Sequence, residues 1–242
     1  MKSLHLYLKN IAMISFTILV INCTSQKIEL ENAQSQNIEF LIEQATNLWD
    51  NRSDTNAVKQ ANYFLGLANY SARNFNKAEK FYAKSLLIDQ KSVAAMHGLA
   101  MTYDQNEKWE KSDELYTKLI VINDRDAQAY NNFAYSLVER DEDLEYALSL
   151  AEKAIQISPD VSAYLDTIGW IYYKLSEFEK AKDYISQALL YEDTSSVILE
   201  HYGDVLISLN EIDEAIIFYN KALLLDEDNN NLKLKISSYD TE

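Results

Sequence analysis

The sequence predicts an all-α fold built from five helix pairs of one design. Two observations carry that prediction: small residues recur every 34 positions, and Gly and Pro are scarce, at 4 and 1 in 242 residues. One ladder runs Gly66, Ala100, Ala134, Gly169, Gly203, a second Ala147, Ala181, Ala215, and a third Ala154, Ala188, Ala222. Tyr82 and Tyr116 keep the same step. A fixed period of this length marks an array of supersecondary units that bury their apolar faces only by stacking. Scarce Gly and Pro argue against sandwiches, barrels and Gly-rich phosphate loops, which need turn glycines, and favour long helices joined by tight turns.

The formal net charge is −16, spread along the chain without a long acidic block. Such a chain repels phosphate backbones, so no nucleic-acid partner is expected. The acids read as solvated helix faces. Cys23 is the only cysteine, which excludes an intramolecular disulfide.

Residues 1–22 read as an address. A short segment with Lys2 and Lys9 precedes an uncharged apolar run over 11–21. Eleven helical residues rise about 16 Å, against a hydrocarbon core of about 30 Å, which fits a signal-peptide core better than a span. Cys23 follows at once, in Leu19-Val20-Ile21-Asn22-Cys23. This resembles the bacterial lipobox, whose Cys thiol is acylated and becomes the first residue of the mature protein. Val20 fits the branched position, whereas Asn22 departs from the Gly, Ala or Ser that usually precedes the Cys. The resemblance implies a lipid-anchored envelope protein, and Thr24 in place of Asp points to the outer membrane. An ordinary secretory signal or an uncleaved anchor are the alternatives. Each acyl methylene buried in a bilayer contributes about 0.8 kcal/mol, so two or more chains hold a domain there firmly. Polar residues within 23–36 then form a tether.

Residues 37–58 are read as a first helix and a linker. Ile38, Leu41, Ile42, Ala45, Leu48 and Trp49 fall at helical spacing, and this helix would cap the array. Five repeats follow over 59–229, at 59–92, 93–126, 127–161, 162–195 and 196–229. The third has 35 residues, the extra one falling near Arg140-Asp141-Glu142-Asp143, where a turn is expected and an insertion is cheap. Residues 230–242 supply a C-terminal cap and tail. There Leu232, Leu234 and Ile236 suit either a short helix or an extended tail.

The period and its marks resemble the tetratricopeptide repeat family. The residues that carry this are Leu65-Gly66, Ala78, Tyr82 and Leu86; Leu99-Ala100, Tyr103 and Tyr116; Phe133-Ala134, Ala147, Ala154 and Pro159; Ile168-Gly169, Tyr172, Ala181 and Ala188; and Gly203, Ala215, Tyr219 and Ala222. Only Pro159 fills the family's proline position, and repeat two has Ser112 and Leu119 where small residues are usual. The resemblance implies a right-handed α-solenoid of helix-turn-helix repeats with an N-terminal capping helix. It implies a scaffold that binds other proteins, with the first helix of each repeat lining a concave groove.

Carried over position by position, the lining comprises Tyr63, Phe64, Leu67 and Tyr70; His97, Met101 and Asp104; Asn131, Asn132 and Tyr135; Asp166, Thr167, Trp170 and Tyr173; and Glu200, His201 and Asp204. The groove would start aromatic, carry two amides at its centre and end acidic. Aromatics make good anchors, and an amide can grip a ligand backbone through two hydrogen bonds. The partner would be a protein or peptide, held as an extended segment or a helix. Tyr63, Leu67, Gly98 and Thr167 stand where a clamp for a peptide carboxylate would need amides or bases, so no such clamp is expected.

No Ser-His-Asp set, Walker loop, dinucleotide fingerprint or Cys cluster occurs, and neither catalysis nor a cofactor is expected. The alternative is a small-ligand or divalent-cation site at the acidic end, where Glu200, His201 and Asp204 could share a face with Asp166.

Overall fold

A computed structural model describes residues 35–48, 53–192 and 194–239. Cys23 and the signal-like segment lie outside the described residues. Every regular element among those described is a helix. We number them α1 (35–48), α2 (Thr55–Ser71), α3 (Phe75–Ile88), α4 (Val93–Gln105), α5 (Trp109–Ile122), α6 (Ala127–Glu139), α7 (Leu144–Ile157), α8 (Ser162–Lys174), α9 (Phe178–Tyr191), α10 (Ser196–Ser208), α11 (Ile212–Leu225) and α12 (Asn230–Tyr239). None is long and apolar enough to cross a membrane.

Five hairpins, α2/α3 to α10/α11, stack in chain order, and α12 closes the far end against α11. The first hairpin begins at Thr55, four residues ahead of the ladder-based boundary, because the Asp54 carboxylate accepts from the Asn56 N–H and caps α2 there. Residues 230–239, which fit two conformations as a sequence, form a helix: Asn229 Oδ1 accepts from the Leu232 N–H at 2.9 Å, and Leu232 and Ile236 are buried on the face toward the array.

Each hairpin turn contains one residue in the left-handed region: Arg73, Glu107, Asp141, Ser176 and Asn210, with φ between 53° and 63°. None is glycine. The conformation closes the preceding helix, as where the Glu177 N–H donates to the Tyr172 carbonyl at 2.9 Å and the Glu211 N–H to the Leu206 carbonyl at 2.9 Å. The third turn absorbs the extra residue by adding a second left-handed residue, Asp143, whose carboxylate caps α7 through the Tyr146 N–H. Arg140, at the start of that turn, chelates Asp113 with both distances at 2.8 Å and lies over the Trp109 ring.

The small-residue ladders mark where helices approach most closely. Ala78, Ser112, Ala147, Ala181 and Ala215 are all fully buried, as are Ala100 and Ala134. A Cβ built at Gly203 would stand 2.4 Å from the Tyr219 ring, and one at Gly66 would stand 2.6 Å from Tyr82. The glycines are thus required by the ring packed against them, not by their φ. Ser112 and Leu119, the departures in repeat two, are fully buried too, and the Ser112 hydroxyl donates to the Trp109 carbonyl.

Candidate functional site

The first helices of the hairpins, α2, α4, α6, α8 and α10, lie side by side and carry all the groove residues expected from the sequence. Counting from the ladder residue of each helix, the residue three before it corresponds in register to the residue two before it on the next first helix. This seam runs Tyr63/Gly98, His97/Asn132, Asn131/Thr167, Asp166/His201, and then Glu200/Lys235 onto α12. It changes character along the array.

At the C-terminal end the seam is closed by charge. His201 Nδ1 stands 3.0 Å from both oxygens of Asp166, and both residues are buried. Burial disfavours the charged ring, but the Asp166 carboxylate, with smaller help from Glu139 and Asp204, outweighs it and raises the His201 pKa. Trp170 lies flat on His201, with centroids 4.0 Å apart, and Tyr173 lies flat on Trp170 at 4.6 Å. The Trp170 indole N–H donates to Glu139 at 3.0 Å.

One step on, the Lys235 ammonium sits 2.8 Å from Glu200 and 2.7 Å from each oxygen of Asp204, and the Tyr219 hydroxyl donates to the same Asp204 at 2.7 Å. Burial would lower the Lys235 pKa, but the two carboxylates reverse that and raise it. The acidic end expected from sequence is therefore offset from within, by a lysine lying between Glu200 and Asp204. Among the described residues no group of three or more His, Cys, Asp or Glu is arranged to hold a metal.

The N-terminal half is open. His97 Nε2 pairs with Asp126 at 2.9 Å, but its Nδ1 is buried without a partner. Asn132 occupies the position across the seam, and its Nδ2 is also buried and unpartnered, as is Oδ1 of Asn131. The two amides meet only through a long contact of 3.5 Å. A buried polar group left without a hydrogen bond costs about 1–3 kcal/mol, so these three atoms are the least satisfied part of the seam.

Two hollows lie on this half, the first lined in part by His97 and the second by Asn132. The first, of about 210 Å³, is lined chiefly by Tyr63, Leu67, Tyr70, Tyr82, His97, Gly98 and Met101. Gly98 stands where Asn132, Thr167 and His201 stand in later repeats, and the Tyr82 ring takes up the place of its side chain: a Cβ there would meet that ring at 2.4 Å. The second, of about 270 Å³, shares Tyr70 and Met101 and adds Asp104, Trp109, Tyr116, Asn132, Tyr135, Ser136 and Glu139. Asp104 accepts from the Tyr116 hydroxyl at 2.6 Å and the Ser136 hydroxyl at 2.8 Å. Burial raises its pKa all the same, because these donors and the more distant Arg140 do not fully replace water. Burial likewise pushes the hydroxyls of Tyr82, Tyr116 and Tyr135 well up, so they stay protonated.

Of the residues expected to line the groove, Tyr63, Leu67, Tyr70, His97, Met101, Asp104, Asn132 and Tyr135 wall these hollows. Asn131 lies buried beside them. Phe64 packs against Tyr63 instead, at 5.7 Å between centroids. Asp166, Trp170, Tyr173, His201, Glu200 and Asp204 are spent on one another and on Lys235. Thr167 turns its hydroxyl back to the Ala163 carbonyl. Sequence reasoning missed Glu139, Trp109 and Lys235. For Lys235 a signal existed: Asp166/His201 and Glu200/Lys235 are both acid–base pairs 35 positions apart.

The sequence profile described as Tetratricopeptide repeat matches residues 59–92, 163–194 and 198–229, and a second profile of the same description matches 95–129. The unmatched stretch between them, 130–162, holds most of α6, all of α7 and the enlarged turn. No curated protein matches the chain. Solved structures do. A thermophilic tetratricopeptide repeat protein of Thermus thermophilus, TTC0263, is similar over 74% of this chain and 97% of its own, at 24% identity and a TM-score of 0.67. PilF of Pseudomonas aeruginosa is similar over 76% and 85%, at 22% identity and a TM-score of 0.60. A chain of the Cut9–Hcn1 complex of APC/C is similar over 88% and 42%, at 15% identity and a TM-score of 0.78. At these identities the likeness shows the fold.

Proposed function

Since the chain belongs to the tetratricopeptide repeat family, whose arrays act as scaffolds for other proteins, we propose that it is a membrane-anchored interaction scaffold of the bacterial envelope that holds a partner polypeptide in the open, N-terminal half of its groove. The observation that carries this is the set of buried, unpartnered atoms His97 Nδ1, Asn131 Oδ1 and Asn132 Nδ2 beside an apolar hollow. In the closed half, equivalent positions satisfy one another. A donor and acceptors that the fold leaves unpaired suit the main chain of another polypeptide.

The anchor in this reading is Cys23, acylated after removal of residues 1–22, with the outer membrane as destination. Support comes from the sequence: the lone cysteine stands at the end of the only long apolar run. No catalytic role is part of the proposal.

Two experiments test it. A photo-reactive amino acid placed at Tyr70 or Met101 should cross-link one discrete partner in intact cells, and the same group at Leu87, on the outer surface, should not. Equal yields from all three positions would refute groove binding. For the anchor, labelled palmitate should enter the wild-type chain and not Cys23→Ser; equal labelling would refute acylation at that residue.

A further inference from the structure

We infer that the open half of the groove selects an extended partner segment carrying one bulky apolar side chain and, within a few residues, a lysine or arginine. This rests on the groove reading above and adds the chemistry of the occupant.

Three observations lead to it. The first hollow is walled by rings and aliphatic chains, and its volume of about 210 Å³ exceeds the roughly 150 Å³ that accommodates a benzene ring in an engineered cavity. It therefore has room for one large apolar side chain. The second hollow is walled by Asp104 and Glu139, and no Lys or Arg lines either hollow. A segment bearing Asp or Glu would bring like charge to these carboxylates. The unpaired atoms on His97, which lines the first hollow, on Asn132, which lines the second, and on the adjacent Asn131 call for donors and acceptors in return. A helix has spent its main-chain groups internally, whereas an extended segment has them free.

The far end of the seam offers a partial parallel, occupied there by a helix and not by an extended segment. At the far end of the seam, α12 presses buried Leu232 and Ile236 onto the array and places Lys235 between Glu200 and Asp204. Asp204 there accepts from Tyr219, as Asp104 accepts from Tyr116, and the two tyrosines hold the same place in their helices, four residues after Ser112 and Ala215. The Tyr–Asp pair meets an ammonium group in one place and the Ser136 hydroxyl in the other, with Asp104 standing about one turn further along its helix than Asp204 does. What carries over is the chemistry alone: an ammonium group flanked by apolar side chains satisfies carboxylates on this face of the array.

The test is a phage-displayed library of random nine-residue peptides panned on the immobilised chain and on its Glu139→Lys and Met101→Glu variants, each checked for native helicity. Selected peptides should combine a Leu, Met or aromatic residue with Lys or Arg, and Asp and Glu should be rare. A synthetic peptide of the enriched sequence should bind roughly ten-fold more weakly when its basic residue is replaced by Glu. Glu139→Lys should abolish the basic preference and keep the apolar one, and Met101→Glu should weaken the apolar preference. Enrichment of acidic peptides, or a basic preference indifferent to Glu139→Lys, would overturn this inference and leave groove binding standing. Should no peptide be enriched and Tyr70 cross-link nothing in cells, both readings fall. A concentration-dependent doubling of mass in light scattering that Glu139→Lys removes would instead seat a second copy of this chain there, and would overturn the inference as well.

Discussion

Trp170 and His201 lie ring on ring, 4.0 Å apart and within 9° of parallel, and His201 is held from its far edge by Asp166. The contact joins α8 to α10 and engages three side chains that the sequence places on the lining face. It also gives the array a titratable joint.

The pH dependence of stability follows from that joint. The folded-state pKa of His201 is raised above the ordinary 6.5, so the ring binds its proton more tightly folded than unfolded. Its contribution is then fully present below pH 6.5 and is lost as pH rises through the raised value. Groups facing it are Asp166 on α8, Glu139 at the end of α6 and Asp204 on α10. Chemical denaturation between pH 5.5 and 8.5 should show wild-type stability falling through this window. In His201→Gln that fall should be absent; an identical slope in the variant would show that other groups carry it.

Gly203→Ala should destabilise the protein. Alanine gains about 1 kcal/mol of helix propensity over glycine, but its methyl would stand 2.4 Å from the Tyr219 ring. Overpacking a filled core costs about 1–3 kcal/mol, so the clash exceeds the gain. Urea denaturation should show a net loss, and the double variant Gly203→Ala/Tyr219→Leu should recover part of it.

Lys235→Met should loosen α12. The substitution keeps length and apolar stem but leaves Glu200 and Asp204 facing each other without their cation. Exposed pairs contribute up to about 1 kcal/mol and buried ones more, so this partly exposed lysine should cost about 1–2 kcal/mol. Hydrogen exchange should accelerate selectively over 230–239, and unchanged protection there would show that Leu232 and Ile236 hold the cap alone.

Tyr116→Phe removes one of the hydroxyls on Asp104 and leaves that buried carboxylate less satisfied. The loss should be about 1–3 kcal/mol at neutral pH. Because burial already raises the Asp104 pKa and the lost donor raises it further, the loss should shrink as pH falls and the carboxyl is protonated. A constant penalty from pH 4 to 7 would assign the effect to packing instead.

The architecture was legible because each ladder position reports a local geometric demand. A glycine or alanine every 34 residues records a close approach between helices, and Gly203 against Tyr219 shows what that approach is. The start of α2 and the state of 230–239 were less legible, since both hinge on one capping hydrogen bond, from Asp54 and from Asn229. For the groove, sequence named the residues on the lining face. It did not tell Tyr70 and Met101, which line the hollows, from Trp170 and Asp204, which are engaged with His201 and Lys235.

By itself, then, the amino-acid order determined the all-helical array, its period, the face that lines the groove and the absence of a disulfide, because periodicity and residue size act within one helix pair. Only the tertiary structure decided which half of the groove is open. That depends on seam partners about 35 positions apart, where Asp166 finds His201 and Glu200 finds Lys235 while His97 and Asn132 leave atoms unpaired. Whether two side chains satisfy each other is set by distance and angle between helices, and no spacing rule in one dimension contains either.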